Sequence, residues 1–179
     1  MKSTKKLTVS SITVALGVVI MLLGAVFEPL DLASACIASV LVAFIYIEIG
    51  SPYTYLVWLC TSLISAIVYP SGLMWIMYLS VFGIYPIVKG LIEKAPRGIW
   101  WPIKICFGAI SSFLLYLVCT FILGVPLIED GMLGLPKEIY YLLFALLVSV
   151  CFVAYDIFLT AYIRVYMIKL RPKFKNLLK

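Results

Sequence analysis

The chain contains no histidine in its 179 residues. That absence removes imidazole-ligated haem, most catalytic zinc sites, Ser-His-Asp triads and histidine proton relays. Charge is scarce as well: 12% of residues are Asp, Glu, Lys or Arg, 65% are hydrophobic, and the mean hydropathy is +1.17. Soluble domains run at about 25% charged and about 45–50% apolar. A soluble globule of this size could not cover so much apolar side chain, so a soluble enzyme, a nucleic-acid-binding domain and a disordered segment are all poor readings. The G-x-x-x-x-G-K-[ST] phosphate loop, the G-x-S-x-G elbow and the H-E-x-x-H zinc motif are missing too. No recognisable route to ATP hydrolysis exists, and the chain is expected to be neither an enzyme nor a cofactor carrier. The cysteines, Cys36, Cys60, Cys106, Cys119 and Cys151, are odd in number and lack C-x-x-C spacing. All lie in apolar runs and read as small packing residues rather than disulfides or a metal site.

What is present in abundance is apolar sequence in runs of membrane-spanning length. A spanning helix needs about 20 mostly apolar residues. The spacing predicts helices over residues 7–27, 32–49, 53–69, 73–92, 100–123 and 139–167. Glu28-Pro29, Gly50-Ser51-Pro52, Pro70-Ser71-Gly72 and Gly124-Val125-Pro126 punctuate them, and Pro86 predicts a kink near the end of the fourth. Lys2, Lys5 and Lys6 lead straight into the first run, which lacks an A-x-A cleavage site and reads as a spanning helix rather than a signal peptide. The expected fold is all-α, a polytopic bundle of six transmembrane helices forming one domain over 1–179.

Charge placement orients the bundle. Of the 14 lysines and arginines, only Lys137 falls on the side opposite the termini, whereas Glu28, Asp31, Glu129, Asp130 and Glu138 gather there. The positive-inside rule then places both termini in the cytoplasm. The basic tail from Arg164 to Lys179 holds that topology and attracts anionic headgroups, without any need for nucleic acid.

Three groups of residues are candidates for function. Small residues four apart allow close helix approach: Ser11 and Ala15, Thr13 and Gly17, the series Ala35, Ser39 and Ala43, and Gly108 and Ser112. Each serves either packing within the bundle or, for the first helix, a face for a partner subunit. Ionisable groups in a bilayer are costly and functional by default. Glu48 and Asp156, with Lys89, Lys104 and Arg164 at similar depth, read as a structural ion-pair clamp, as a proton or ion relay, or as side chains snorkelling to the interface. The outer rim combines the acidic turn Glu28-Pro29-Leu30-Asp31 with Tyr69, Trp75, Tyr78, Glu129, Asp130, Tyr140 and Tyr141, a composition shared by ligand pockets and by interfacial aromatic belts.

The basic start followed by small residues four apart over 7–23, the turn Glu28-Pro29-Leu30-Asp31-Leu32 into the second helix, and the Gly50-Ser51-Pro52 turn after it carry a family likeness. With the span count and orientation, the chain resembles the substrate-binding S component of an energy-coupling factor transporter, a bacterial vitamin-uptake system. The resemblance implies a multi-pass protein of the bacterial plasma membrane that captures a vitamin or similar micronutrient from outside. It implies as partners a membrane coupling subunit and two ATPase subunits. Ser11 and Ala15 match the family's contact with the coupling subunit, with Ser where Ala is more usual. The implied pocket lies in the outer half, with Asp31, Tyr69, Trp75, Tyr78, Tyr116 and Tyr140 as lining candidates from depth and chemistry. Two other classes remain open: a membrane scaffold, assembly or regulatory protein that binds a partner protein, and a small lipid-handling protein that uses Glu48, Asp156 and the basic inner rim.

Overall fold

The computed structural model describes residues 3–27, 30–70, 72–118, 120 and 137–174, and every regular element among them is helical. Six helices are long and apolar enough to cross a membrane: α1 (Ser3–Val26), α2 (Asp31–Glu48), α3 (Ser51–Val68), α4 (Met74–Ile92), α5 (Trp100–Leu117) and α6 (Lys137–Val165). A π-helical turn at Tyr166–Leu170 and a short helix, α7 (Arg171–Phe174), extend α6. The predicted boundaries of α2, α3 and α4 lie within two residues of these. The first helix begins four residues earlier than its apolar run, because a helix need not stop where the membrane does. The last stretch expected of the fifth helix, 121–123, and the loop 124–136 lie outside the described residues.

Close contacts bring the two ends of the described chain to one end of the bundle. The Ser3 hydroxyl lies 3.4 Å from that of Tyr53, and Arg171 Nε lies 3.1 Å from a Glu48 carboxylate oxygen. Glu48 and Tyr53 flank the tight α2–α3 turn. Gly50 makes that turn with φ of 99°, a backbone conformation that side chains resist. Pro52 in the first turn of α3 then starts the next helix with φ already set, and Thr54 donates to the Gly50 carbonyl at 2.9 Å.

The small-residue patterns mark where helices touch. Ala35, Ser39 and Ala43 are all buried along α2, and Thr13 and Gly17 of α1 are buried, with Gly17 against Thr61 of α3. Gly24 lets α1 approach α2 so closely that a Cβ there would fall inside the Ser34 side chain. Ser11 and Ala15, by contrast, are exposed on the outside of α1.

The fourth span is not one continuous α-helix. It runs as Met74–Met77, a π turn at Tyr78–Phe82, then Tyr85–Ile92. The interruption precedes Pro86, whose missing N–H leaves the Phe82 carbonyl without its usual partner. Tyr155 of α6 supplies one, its hydroxyl lying 2.9 Å from that oxygen and 2.7 Å from Ser39 Oγ. The Trp58 indole donates to the Leu79 carbonyl at 3.2 Å in the same stretch. In a membrane each such freed carbonyl must find a donor inside the protein, so α2, α3 and α6 all brace the break. Packing is uneven as a result: 56% of the apolar window of α4 is buried, against 11% for α5. Helix α5 stands at the edge of the bundle, and the described residues leave a cavity between it and α6.

Candidate functional site: an ionic cluster at the end of an inter-helical cavity

Where α4 resumes, Tyr85, Lys89 and Glu93 follow at four-residue intervals and share one helix face, as Asp156 and Thr160 do on α6. The two faces meet. Asp156 Oδ1 accepts a hydrogen bond from the Tyr85 hydroxyl at 2.6 Å and another from the Lys89 ammonium, and Oδ2 accepts from Lys104 of α5 at 2.6 Å. Lys89 reaches Thr160 Oγ1 at 2.8 Å and the Glu93 carboxylate at 3.4 Å with its other donors. Thr160 in turn donates to the Asp156 carbonyl at 2.7 Å. Lys89 is 1% exposed, and this ammonium, deep in protein, has two hydrogen bonds, to Asp156 and Thr160, and a second acid, Glu93, within ion-pair distance. The rings of Tyr85, Phe152, Tyr155 and Phe107 pack on one another beside the cluster, with centroids 4.8–5.5 Å from that of Tyr85. They cover one side of the cluster with apolar surface, which strengthens the pairing there.

Lys104 differs from Lys89. Asp156 is its one hydrogen-bond partner among the described residues, and its ammonium lies 5.7 Å from the centroid of the Trp101 ring. Two lysines thus share one aspartate, and the second acid, Glu93, stands on the far side of Lys89.

Lys104 and Asp156 form one end of a cavity of about 720 Å³ between α5, α6 and the π turn of α4. From there it follows α5 to Leu115 and Tyr116, about 18 Å at 1.5 Å per residue. Its wall is apolar for most of that length, with Phe82, Phe152 and Val148 among the lining groups and hydroxyls only at Ser111, Ser112, Ser149 and Tyr116. Ser112 already donates to the Gly108 carbonyl at 2.7 Å. Trp101, Ile105, Phe113 and Leu147 line the cavity and are also exposed on the outside of the bundle, so it opens sideways between helices.

The inner ionic group expected from sequence is therefore divided. Lys89, Lys104 and Asp156 come together; Glu48 and Arg164 do not join them. Glu48 accepts from the Tyr166 hydroxyl at 3.1 Å and pairs with Arg171. Tyr166 lies ten residues beyond Asp156, about 15 Å further along the helix. Arg164 is exposed. Eight residues at 100° each leave it about 80° around α6 from Asp156, off the face that meets α4 and α5. Tyr85, Thr160 and Glu93 were missed, although the four-residue intervals that align them with Lys89 and Asp156 stand in the sequence.

The outer-rim candidates are likewise dispersed. Tyr116 lines the cavity, and Asp31 opens α2 next to Leu32, which also lines it. Tyr78 is buried in the core, Trp75 donates from its indole to the Pro70 carbonyl at 3.2 Å, and Tyr69 is exposed at the end of α3. None of these three lines the cavity. The side chain of Tyr140 lies outside the described residues. Of the cysteines, Cys60, Cys106 and Cys151 are exposed and Cys36 is half-buried, all with free thiols; Cys119 lies outside the described residues. The chain matches no family model, no curated protein and no solved structure.

Proposed function

We propose that this chain is a membrane-embedded capture subunit for a small molecule, working in an uptake system whose ATPases are carried on separate chains. The observation that carries this reading is the cavity: about 720 Å³, within the range of about 300–1,000 Å³ typical of small-molecule sites, mostly apolar, and ending on a few convergent polar groups. With no phosphate loop in the chain, the energy in this reading comes from the separate ATPase subunits rather than from an ion gradient. The exposed Ser11 and Ala15 on α1, flanked by the exposed Ile12, Leu16 and Val19, offer a face on which a membrane coupling subunit can pack closely. In this reading the protein is a multi-pass component of the bacterial plasma membrane with cytoplasmic termini, and its cargo is a vitamin-like micronutrient.

A mild-detergent pull-down of the tagged chain from its native membranes tests the proposal. Co-purification of a membrane coupling subunit with paired ATPases, lost when Ser11→Leu and Ala15→Leu are combined, is the expected result. Recovery of the chain without ATPases, or with one unrelated protein partner, overturns it and moves the assignment to a scaffold. A second reading, a protein that handles membrane lipid without an energy source, is favoured by one observation: the cavity opens sideways through side chains that face the bilayer.

A further inference from the structure

We infer that the cavity takes an amphiphile with one anionic group, a carboxylate or phosphate, seated on the Lys104 ammonium, and an apolar body lying along α5 toward Tyr116. This rests on the small-molecule reading above and narrows it to a ligand class. The unequal hydrogen bonding of the two lysines supplies the first argument. Asp156 accepts from two lysines, but only Lys89 has its other donors engaged, by Thr160 and Glu93. Among the described residues Lys104 faces the cavity with Asp156 as its one hydrogen-bond partner, so an arriving anion meets a cation with donors to spare beside that carboxylate.

The wall supplies the second argument. A solute polar over its whole surface would leave most of its groups unpaired against Phe82, Val148 and Phe152, at about 1–3 kcal/mol for each buried group. An apolar body leaves none. The direction of the cavity supplies the third. Its charged end lies toward the basic end of the bundle and its apolar length runs inward toward the bilayer middle, the same polarity as a lipid in that leaflet. The sideways opening lets such a molecule pass from the leaflet into the cavity without inverting or crossing water.

The experiment uses the full chain in phosphatidylcholine nanodiscs with two photoactivatable probes of equal chain length, each carrying a diazirine in the chain, one ending in a carboxylate and one in an alcohol. Cross-linked peptides are mapped by mass spectrometry. The acid is expected to label the segments 105–116 and 147–153. Labelling is expected to fall about tenfold or more in Lys104→Gln, the loss of a charge-assisted hydrogen bond, and to survive in Lys104→Arg. Ser112→Phe, which obstructs the cavity without touching the ionic cluster, is expected to abolish it. The alcohol is expected to label weakly and equally in wild type and Lys104→Gln. Equal labelling by acid and alcohol, or acid labelling unchanged in Lys104→Gln, overturns the anionic assignment while leaving a small-molecule site in place. Absence of acid labelling in both segments overturns the amphiphile; stabilisation by a water-soluble micronutrient would then still support capture, and its failure too would remove that reading. Replacing phosphatidylcholine by phosphatidylglycerol identifies the source of the anion: suppressed acid labelling assigns the site to membrane lipid, and persistent labelling to a free amphiphilic acid.

Discussion

Substituting Asp156 by Asn removes the charge that holds α4, α5 and α6 at one point while keeping the size of the side chain. The amide can still accept from Tyr85, which sits 2.6 Å away in the native protein. It leaves Lys89 and Lys104 with no acid between them, the first 1% exposed and the second 12%. Removing one partner of a buried ion pair costs about 3–5 kcal/mol, mostly because the remaining charge stays buried and unpaired. For a chain of this length that corresponds to a drop of roughly 6–20 °C in Tm. The assay is thermal unfolding of the purified protein followed by loss of the native peak on size exclusion. Adding Lys89→Met and Lys104→Met to Asp156→Asn is expected to restore most of the loss, since well-packed apolar groups substitute for buried ion pairs with little penalty. A relay through the same residues predicts the reverse pattern: Asp156→Asn folds normally and transport is abolished. A stability change below about 1 kcal/mol in Asp156→Asn, or no recovery in the triple variant, would refute the clamp.

Gly24→Ala places a Cβ inside the Ser34 side chain and is expected to destabilise the α1–α2 contact by about 1–3 kcal/mol, with Ser34→Gly recovering most of it in a double-mutant cycle followed by thermal unfolding. Tyr155→Phe leaves the Phe82 carbonyl, already deprived of a partner by Pro86, without its donor. The expected loss is about 1–3 kcal/mol, and hydrogen exchange should rise selectively in the π turn 78–82. Phe82→Ala is not an equivalent test because it deletes packing and keeps the carbonyl.

The six spans were legible because apolar runs of bilayer length, closed by proline and glycine, leave few alternatives. The chemistry was legible where it follows helical spacing. Lys89, Lys104 and Asp156 were recognisable as ionisable groups too costly to stand alone in lipid, and Tyr85, Thr160 and Glu93 lay four residues from them. What depth alone could not give was rotation about the helix axis. Glu48 and Arg164 share the same end of the bundle as the cluster, but one is displaced by about 15 Å and the other turned by about 80°. The outer aromatics illustrate the same limit. Tyr78 and Trp75 lie three residues apart at the start of α4, yet Tyr78 is buried in the core and Trp75 turns back to the Pro70 carbonyl. The cavity itself has no sequence motif. It arises because α5 packs loosely at the edge of the bundle, a property of the whole assembly of helices rather than of any segment.

The claim that the cavity is a small-molecule site is tested most directly by mass spectrometry of the protein released gently from its native membranes, wild type beside Ser112→Phe. The account predicts a bound small molecule at near-stoichiometric occupancy in the wild type and its loss in the obstructed variant, with both proteins folded. A wild-type protein carrying no small molecule, or the same molecule retained at the same occupancy when the cavity is obstructed, would contradict it.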